Sequence, residues 1–491
     1  MARLSDRSND PKALAFVLVL GLAVRLWAYA THTYIAFPDE TFQYLEPAHR
    51  LAFGSGVVTW EFIDGIRSWL LPGVVAAIMR GVAWIDPDPA VYIAVLRVFC
   101  ILASLSIPYA GFRIAERHGG PHAGLAAGVL CALSPQAVYF APVVMTDGLA
   151  TDAAVLALAL APRPLLAGVL FGLACTLRYQ YAPILAAVAL SQYWRDRRAL
   201  GPVVLAGVAV VLLALGVLDT LTWGTPFQSV WLNYLRNGPQ GFSKAMGEQG
   251  WSFYLEYFLV AWGAATPVLL VLLVAGARRA PVVALAVVSV IGLHMLPAHK
   301  ELRFILLASV AIPILLALGI DAMLRRLALR WGGWPAHVGA SSGLALLIAW
   351  GTLGRATGAD DWHRDEPMLR ATAAARALDG VCGLAIRTIP VYRTGGYSYW
   401  HRDVPIYFEA WDRASTIPGS SIVLGLDSVL AGRRVPQYSG AALAEHTGAF
   451  NAMVGASDDG LPDFHRHVCY GAGRADEPQV CVFIRSGGCT G

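Results

Sequence analysis

Apolar runs of membrane-crossing length recur along the chain from residue 13 to about residue 354. The first run carries Arg25 and Trp27 and lacks a small-residue cleavage site, which indicates a retained helix rather than a removable signal. Because about 20 apolar residues cross a bilayer, we predict roughly eleven transmembrane helices. Their predicted ranges are 13–31, 91–112, 122–141, 148–161, 164–178, 181–194, 201–221, 257–276, 281–297, 303–323 and 336–354.

Three apolar segments depart from this simple pattern. The segment from Ser68 to Ile85 is interrupted by Leu71-Pro72-Gly73 and by Arg80, so we predict an interfacial or re-entrant helix there. The spans 148–161 and 164–178 are short for a hydrocarbon core of about 30 Å. We expect neighbouring helices to shield them in part.

The composition supports a polytopic membrane protein. Of the 491 residues, 56% are hydrophobic and only 14% are charged, whereas soluble domains carry about 25% charged residues. The mean hydropathy is +0.55. The formal net charge of +4 therefore needs a topological explanation rather than a nucleic-acid partner.

The positions of Lys and Arg predict the orientation of the spans. Cytoplasmic turns of membrane proteins are enriched in these residues. Placing the basic clusters inward leaves the C-terminal tail outside, together with the loops 37–90 and 222–256. The clusters are Arg3, Arg7 and Lys12; Arg113 and Arg117; Arg163; Arg195, Arg197 and Arg198; Arg278 and Arg279; and Arg325, Arg326 and Arg330.

The apolar pattern ends after Gly354, and residues 355–491 read as one extracytoplasmic soluble domain following a transmembrane domain of residues 1–354. Possible strands at 383–389, 421–426 and 479–484 and an Ala-rich helix at 368–378 predict a small α/β module. Four cysteines fall in this tail, and an oxidising compartment would permit one or two disulfides, with three full pairings possible. They are Cys382, Cys469, Cys481 and Cys489.

The first outer loop concentrates polar and aromatic groups between very apolar segments. Pro38, Asp39 and Glu40 resemble a helix start, because proline suits the first turn and acids complement the helix dipole there. The two acids could therefore serve only as caps. Further candidate groups follow within thirty residues: Gln43, Tyr44, Glu46, His49, Thr59, Trp60, Glu61 and Arg67.

Two motifs resemble signatures of a known family. Residues 38–47, PDETFQYLEP, followed by Thr59-Trp60-Glu61 and Ile66-Arg67-Ser68, resemble the first luminal loop of the dolichol-phosphate-mannose-dependent mannosyltransferases. These enzymes act in asparagine-linked glycan and glycosylphosphatidylinositol (GPI) anchor assembly. Residues 299–304, HKELRF, are similar to that family's second signature. The resemblance extends to about residue 323.

The resemblance implies a polytopic all-α membrane protein with the GT-C glycosyltransferase fold, here with a C-terminal soluble α/β domain. It also implies a lipid-phosphate sugar donor and an inverting transfer, with Asp39 as the general base. Glu40 is the alternative base or a partner that positions Asp39. A carboxylate at a helix start remains ionised, which suits the acceptance of a proton. We assign Gln43, Glu46, Trp60, Glu61 and Arg67 to substrate binding.

The donor phosphate needs cations rather than a proton. His299, Lys300 and Arg303 are the candidates, since arginine offers a bidentate fork and lysine a point charge. The alternative is a cluster of side chains that extends to the membrane interface. Glu301 is expected to pair with one of these cations. Arg178 and Arg25 could add to the phosphate site or pair with Asp147 and Glu46.

Asp147 follows in the second outer loop, and we expect it to orient the acceptor or a neighbouring cation. Asp39, Glu40 and Asp147 are too few to define a metal site. We therefore predict no metal and no cofactor. The aromatic loop 222–256 is typical of an interfacial belt, with a substrate-binding lid as the alternative.

Two classes of function remain. The first is an integral-membrane glycosyltransferase that moves a sugar, mannose as the resemblance implies, from a polyprenyl phosphate to a glycan or glycolipid hydroxyl. The second is a lipid or glycolipid transporter or flippase. A transporter would place its polar groups near mid-membrane between inverted repeats, and no convincing internal repeat is present. We expect an extracytoplasmic active site in a bacterial plasma membrane, with membrane lipids as partners and no nucleic acid.

Overall fold

The computed structural model describes residues 11–331, 365–409, 437–438, 443, 447–456, 460–471 and 479–489. The chain forms two compact units. The helical unit comprises Met1–Thr31, Arg97–Pro226 and Met246–Gly358. The loop-and-sheet unit comprises His32–Leu96, Phe227–Ala245 and Ala359–Gly491.

Helices overlap each of the predicted spans up to residue 323. The predicted span 336–354 lies outside the described residues. Among the described helices, five are long and apolar enough to cross a membrane: Pro11–Thr31, Pro89–Gly119, Arg197–Trp223, Phe253–Ala277 and Leu302–Arg326. Shorter helices are Pro121–Leu133, Pro135–Phe140, Thr146–Ala159, Pro164–Leu177, Tyr181–Tyr193 and Pro281–Met295.

Local sequence explains the breaks within these helices. Proline occupies the first position of Pro121–Leu133, Pro135–Phe140 and Pro164–Leu177, where its missing N–H costs nothing. The short helix Thr146–Ala159 is buried along most of its length. Neighbouring helices therefore shield it, as expected for a span this short.

Glycines bring two long helices of the helical unit into backbone contact. A Cβ atom at Gly276 would lie 2.0 Å from the carbonyl oxygen of Leu315. A Cβ atom at Gly319 would lie 2.0 Å from the carbonyl oxygen of Leu272. Small residues allow this approach in membranes, where close packing rather than water exclusion holds helices together.

One set of basic turns forms an ion-pair network in the helical unit. Asp321 binds Arg279 at 2.5 Å and Arg325 at 2.8 Å. Arg325 also donates to the carbonyl of Gly119. The turns near residues 119, 279 and 325, all assigned to the cytoplasmic side, thus lie together, as the charge pattern requires.

Arg25 is buried in the first helix. Its Nε donates to Ser104 Oγ at 2.9 Å, and its Nη1 donates to the carbonyls of Gly21 at 3.1 Å and Ala132 at 3.0 Å. Ala132 is in the last turn of its helix, where carbonyls lack intrahelical partners. Arg25 therefore joins three helices of the membrane domain.

The loop-and-sheet unit contains a six-stranded mixed sheet of order β3-β2-β1-β4-β6-β5. Strands β1 to β4 pair in parallel, whereas β6 runs antiparallel to β4 and β5. The strands are β1 Leu384–Ile386, β2 Ile406–Glu409, β3 Gln437–Tyr438, β4 Ala452–Ala456, β5 His465–Tyr470 and β6 Val480–Ile484. The predicted strand at 421–426 lies outside the described residues.

Alternating side chains cover the two faces of this sheet. Ala385, Met453 and Phe483 pack on one face with Phe450. The other face packs against the helix Glu366–Arg376 and against first-loop residues, with core members Leu384, Phe408, Val454, Met368, Ala371, Trp400, Phe42 and Val57. The first loop and the tail thus share one hydrophobic core.

Two disulfides close the tail, Cys382–Cys489 and Cys469–Cys481. The second joins the directly paired strands β5 and β6. The structure therefore selects one of the three pairings that the sequence left open. The tail helix Glu366–Arg376 and the strands β1 and β6 lie where the sequence predicted them.

The first loop is helical over much of its length. A π-helix, Glu40–Leu45, leads into the helix Glu46–Phe53, and Trp60–Ile63 follows. The predicted interfacial segment 68–85 forms the helix Leu70–Ala83. The aromatic segment of this unit contributes Gln228–Asn237 and Phe242–Ala245.

Candidate active site

The acidic pair of the first loop lies at the start of a helix, as its sequence predicts. Asp39 has helical backbone angles and directly precedes the π-helix Glu40–Leu45, without a capping hydrogen bond from its side chain. The N–H of Glu40 donates to the carbonyl of Phe37 at 3.0 Å. Glu40 is buried, whereas Asp39 is partly exposed. Asp39 is therefore the more accessible carboxylate of the two. Single π-helical turns are rare and occur frequently at functional sites.

A third acid, Glu61, lies near Asp39 in the same unit. Gln43 Nε2 donates to Glu61 Oε1 at 3.0 Å, and Arg67 Nη2 lies 3.9 Å from the same oxygen. Burial raises the pKa of Glu61, and the negative charge of Asp39 adds to that rise, whereas Arg67 opposes it. Four predicted site residues are thus gathered here: Asp39, Gln43, Glu61 and Arg67.

Trp60 precedes Glu61 in the short helix Trp60–Ile63 and packs within the loop-and-sheet unit. Its ring centroid is 4.3 Å from that of Phe242. The Arg236 guanidinium lies 5.9 Å from the Trp60 centroid and binds Asp64 at 2.6 Å. The segment 227–245 therefore rests on the first loop, while Trp231 remains exposed on it.

Glu46 has a different environment from the other acids. It is fully buried, and its two oxygens accept the backbone N–H groups of Val57 at 2.7 Å and Ser398 at 2.6 Å. Burial raises the pKa of Glu46 to about 7, although these two hydrogen bonds favour the charged form. Both oxygens are thus engaged by main chain, which suits a structural contact better than the predicted substrate contact.

The second motif forms a compact ion cluster in the helical unit. Glu301 Oε1 accepts a hydrogen bond from Arg303 Nη2 at 3.0 Å and lies 2.8 Å from His299 Nε2, while Glu301 Oε2 forms an ion pair with Arg303 Nε at 2.7 Å. Burial alone would raise the pKa of Glu301, but hydrogen bonds from His299 and Arg303 and their charges lower it to about 2. The predicted pairing of Glu301 is therefore present with two cations.

Both ring nitrogens of His299 face acceptors. Nδ1 lies 3.1 Å from the carbonyl oxygen of Gly247, and Nε2 lies 2.8 Å from Glu301 Oε1. The hydrogen bond to Glu301 raises the pKa of His299, against the effect of burial. Because both partners accept, both nitrogens donate, and His299 carries a positive charge in this arrangement.

Lys300 is buried beside this cluster. Its Nζ donates to the carbonyls of Pro297 at 2.6 Å and Gln249 at 3.1 Å. Arg303 is buried as well. Two buried cations do not fit the alternative interpretation, in which these side chains extend to the membrane surface.

Phe304 lies at the centre of the cationic groups. The guanidinium carbons of Arg178 and Arg303 lie 5.3 Å and 5.4 Å from its ring centroid. The rings of His299 and His294 lie at 5.9 Å and 6.1 Å. An aromatic face attracts cations at this range, so Phe304 helps to hold the two guanidinium groups close together.

Arg178 forms a buried ion pair with Asp147 and lies 5.5 Å from the ring centroid of Tyr181. The pairing predicted as one alternative for Arg178 is therefore present. The pair belongs to the helical unit, as do His299, Lys300 and Arg303. Four predicted donor-phosphate residues and Asp147 are thus placed in one unit.

Sequence reasoning missed His294. It is buried in the helix Pro281–Met295, and its Nδ1 lies 2.9 Å from the carbonyl of Val290. A histidine inside an apolar helix was the available signal, since ionisable residues at membrane depth are rare. Among the described residues, no group of three or more His, Cys, Asp or Glu side chains is arranged to hold a metal ion.

Relatives and solved structures place this arrangement in context. GPI mannosyltransferase 3 of Drosophila melanogaster is 43% identical over 84 residues, which are 17% of this chain and 15% of that protein. GPI alpha-1,2-mannosyltransferase 3 of Danio rerio is 26% identical over 286 residues, which are 55% of this chain and 52% of that protein. The chain thus spans about half, or less, of the length of these curated relatives.

Two solved structures share the fold at low sequence identity. ArnT from Cupriavidus metallidurans, bound to undecaprenyl phosphate, is 14% identical with a TM-score of 0.63, covering 96% of this chain and 98% of that chain. The Archaeoglobus fulgidus oligosaccharyltransferase is 13% identical with a TM-score of 0.52, covering 90% of this chain and 68% of that chain. These likenesses show the GT-C fold.

A model of a protein family matches most of the membrane region, including both motifs. The matched residues, 16–355, include the acidic first loop and the ion cluster around Glu301. On this evidence the chain belongs to the Alg9-like mannosyltransferase family.

Proposed function

We propose that this protein is an integral-membrane, inverting mannosyltransferase. It transfers mannose from a polyprenyl-phosphate donor to a hydroxyl group of a lipid-linked glycan or glycolipid. The observation that carries the proposal is the family membership over residues 16–355, together with the acid-bearing helix and the buried cations inside that range. The names of the relatives, GPI mannosyltransferases, support mannose as the sugar.

Asp39 acts as the general base in this proposal. The acceptor oxygen attacks the anomeric carbon of the sugar, and its proton passes to the Asp39 carboxylate. One new C–O bond forms, while the bond between the anomeric carbon and the phosphate oxygen breaks. One carboxylate suffices for such a single displacement. The partial exposure of Asp39 and the burial of Glu40 support this choice between the two acids.

The buried cations serve the donor phosphate. The leaving polyprenyl phosphate gains negative charge, which preorganised cations in a water-poor environment stabilise. Arg303, His299 and Lys300 supply that charge, with Arg178 as a fourth candidate. Glu301 holds the guanidinium of Arg303 through one hydrogen bond from Nη2 and a second ion-pair contact at Nε. ArnT, which shares the fold, was solved with undecaprenyl phosphate bound, and this supports a polyprenyl-phosphate donor.

We further propose that the reaction takes place at the extracytoplasmic face of a bacterial-type plasma membrane. The clustering of Arg279, Arg325 and Asp321 supports a common cytoplasmic side for the basic turns. By this assignment residues 355–491 form an extracytoplasmic domain. Its two disulfides suit an oxidising compartment.

The direct test is transfer by the purified full chain from a panel of radiolabelled polyprenyl-phosphate sugars to a membrane lipid extract. The proposal expects labelled product from the mannose donor and weaker or no labelling from the glucose and arabinose donors. Labelling from another sugar alone would overturn mannose as the donor sugar. Movement of lipid across vesicle membranes without any glycosidic bond would favour transport instead.

A further inference from the structure

A short turn of the C-terminal tail holds the acid-bearing helix of the first loop. Ser398 N donates to Glu46 Oε1 at 2.6 Å, and Val57 N donates to Glu46 Oε2 at 2.7 Å. Ser398 and Glu46 are 352 positions apart in sequence, and both belong to the loop-and-sheet unit. The buried carboxylate therefore ties two distant segments to one another.

Gly396 allows this approach. Its φ angle is +59°, a conformation that favours glycine. A Cβ atom there would lie 2.5 Å from Glu46 Cδ and 2.6 Å from Glu46 Oε1. Any side chain at position 396 would therefore have to displace the Glu46 carboxylate or the turn itself.

Three further hydrogen-bonding groups surround the same contact. Tyr92 donates from its hydroxyl to the carbonyl of Ser398 at 2.5 Å. His49 Nδ1 faces the carbonyl of Ser55 at 2.5 Å and so donates, which leaves His49 Nε2 to accept from His401 Nδ1 at 2.8 Å. The turn is thus bonded to the helix Pro89–Gly119 through Tyr92, and the residue His401 that follows it is bonded to the first loop through His49.

Apolar packing continues the connection towards the acids. Phe42 lies within the π-helix and shares a buried core with Trp400 and with the sheet residues Leu384 and Ile406. Asp39 is seven positions before Glu46 in one continuous helix, a distance of about 10 Å along the axis. A shift at Glu46 is therefore passed to Asp39 through helical backbone.

We propose that Gly396, Ser398 and Glu46 are positioning residues for the acid-bearing helix, which makes the C-terminal tail a required part of the transferase rather than an appended module. Glu46 then contacts neither substrate, and its role is to fix where Asp39 lies. This inference rests on the proposed function, because it uses Asp39 as the base. It assigns the tail a role that the family match, which ends at residue 355, does not cover.

The test compares two alanine substitutions at glycines of similar backbone conformation. Gly396→Ala places a methyl group against Glu46. Gly380→Ala is the matched control, because its φ is +66° and a Cβ there meets nothing within 4 Å. Both variants carry the same backbone strain, and only the first disturbs the carboxylate. Thermal unfolding and disulfide formation are followed for each full-length protein in detergent.

The expected result separates kcat from KM. Gly396→Ala lowers kcat by about tenfold to a hundredfold, since small misplacements of reacting groups cost that much. The KM values for donor and acceptor stay within about twofold of wild type, because a positioning effect on the base acts in the transition state. Gly380→Ala leaves kcat within about twofold of wild type, because its methyl group meets no other atom and leaves the base where it is.

A second substitution tests the contact itself. Glu46→Asp withdraws the carboxylate by one methylene and makes room for the methyl group of Gly396→Ala. If the two losses were independent, the kcat of the double variant would be reduced by their product. Because the residues are in contact, we expect its kcat to be about fivefold or more above that value. Effects that simply multiply, or a Gly396→Ala protein no worse than Gly380→Ala, would overturn the inference.

Two further variants keep the outcome decisive. If Gly396→Ala does not fold, Tyr92→Phe removes one hydrogen bond to the turn and should lower kcat by about fivefold at unchanged KM. A folded Tyr92→Phe protein with wild-type kcat would then count against the inference. Asp39→Asn separates the two proposals, because its inactivity beside a fully active Gly396→Ala protein refutes only the positioning role.

Discussion

Replacing Glu301 by glutamine removes the charge that organises the second motif. The carboxylate binds Arg303 through Nε at 2.7 Å and Nη2 at 3.0 Å, and it binds His299 Nε2 at 2.8 Å. Burial raises the pKa of Glu301, but these partners outweigh burial and lower the pKa to about 2. Glu301 is therefore ionised at every assay pH. Glu301→Gln keeps the shape and loses the charge.

The magnitude follows from the hydrogen bonds that weaken. A hydrogen bond to a charged group contributes about 1.5–3 kcal/mol. The Glu301 side chain is 23% exposed, so solvent screening favours the lower end. A loss of about 1.5 kcal/mol corresponds to about tenfold. We therefore expect donor kcat/KM to fall by about tenfold in Glu301→Gln.

The pH dependence gives the substitution a second signature. His299 is charged below its pKa, and the hydrogen bond to Glu301 raises that pKa. Donor binding should therefore weaken as pH rises through the raised pKa. Without the Glu301 charge, the pKa of His299 loses its largest raising cause while burial and Arg303 still lower it, so the same weakening should begin at lower pH.

The assay measures donor KM and kcat from pH 5 to 9 for wild type, Glu301→Gln and Glu256→Gln. Glu256 is the control, because it is an exposed acid of the same unit and accepts a hydrogen bond from Ser252. The reasoning is refuted if Glu301→Gln has the donor kcat/KM and the pH profile of wild type. An equal loss in Glu256→Gln would also refute it.

Two further substitutions test other parts of the molecule. Asp147→Asn leaves Arg178 buried without its countercharge, which costs about 3–5 kcal/mol in buried pairs. We therefore expect a lower unfolding temperature and loss of transfer. Unchanged stability and activity would contradict this role of Asp147. Replacing both Cys382 and Cys489 by serine should lower the unfolding temperature more than replacing Cys469 and Cys481, because the first bridge spans 107 positions and the second 12. The opposite order would contradict the loop-length reasoning.

Local sequence patterns identified most of the helical architecture. Hydrophobic runs located the helices up to residue 323, and Pro38 with Asp39 and Glu40 indicated the helix start that the structure contains. These features follow from residues within a few turns of one another. The pairing of Arg178 with Asp147 was one of the two alternatives that the sequence left open, and the structure contains it.

Long-range contacts could not be read from the sequence. The hydrogen bond between Ser398 and Glu46 depends on how the tail folds back on the first loop. In the sequence, nothing distinguishes Glu46 from the other acids of that loop. The Nζ of Lys300 donates to main-chain carbonyls, and no pattern of side chains in the sequence indicates those contacts. The π-helical turn at Glu40–Leu45 has no composition that distinguishes it from an α-helix.

The measurement that tests the central claim most directly compares Asp39→Asn with Asp86→Asn in transfer from radiolabelled polyprenyl-phosphate mannose. Asp86 is an exposed acid of the same loop whose carboxylate accepts the N–H of Asp88. If Asp39 is the base, Asp39→Asn loses about a hundredfold or more in kcat, while Asp86→Asn stays at the wild-type value. A folded Asp39→Asn protein with wild-type kcat would contradict the account.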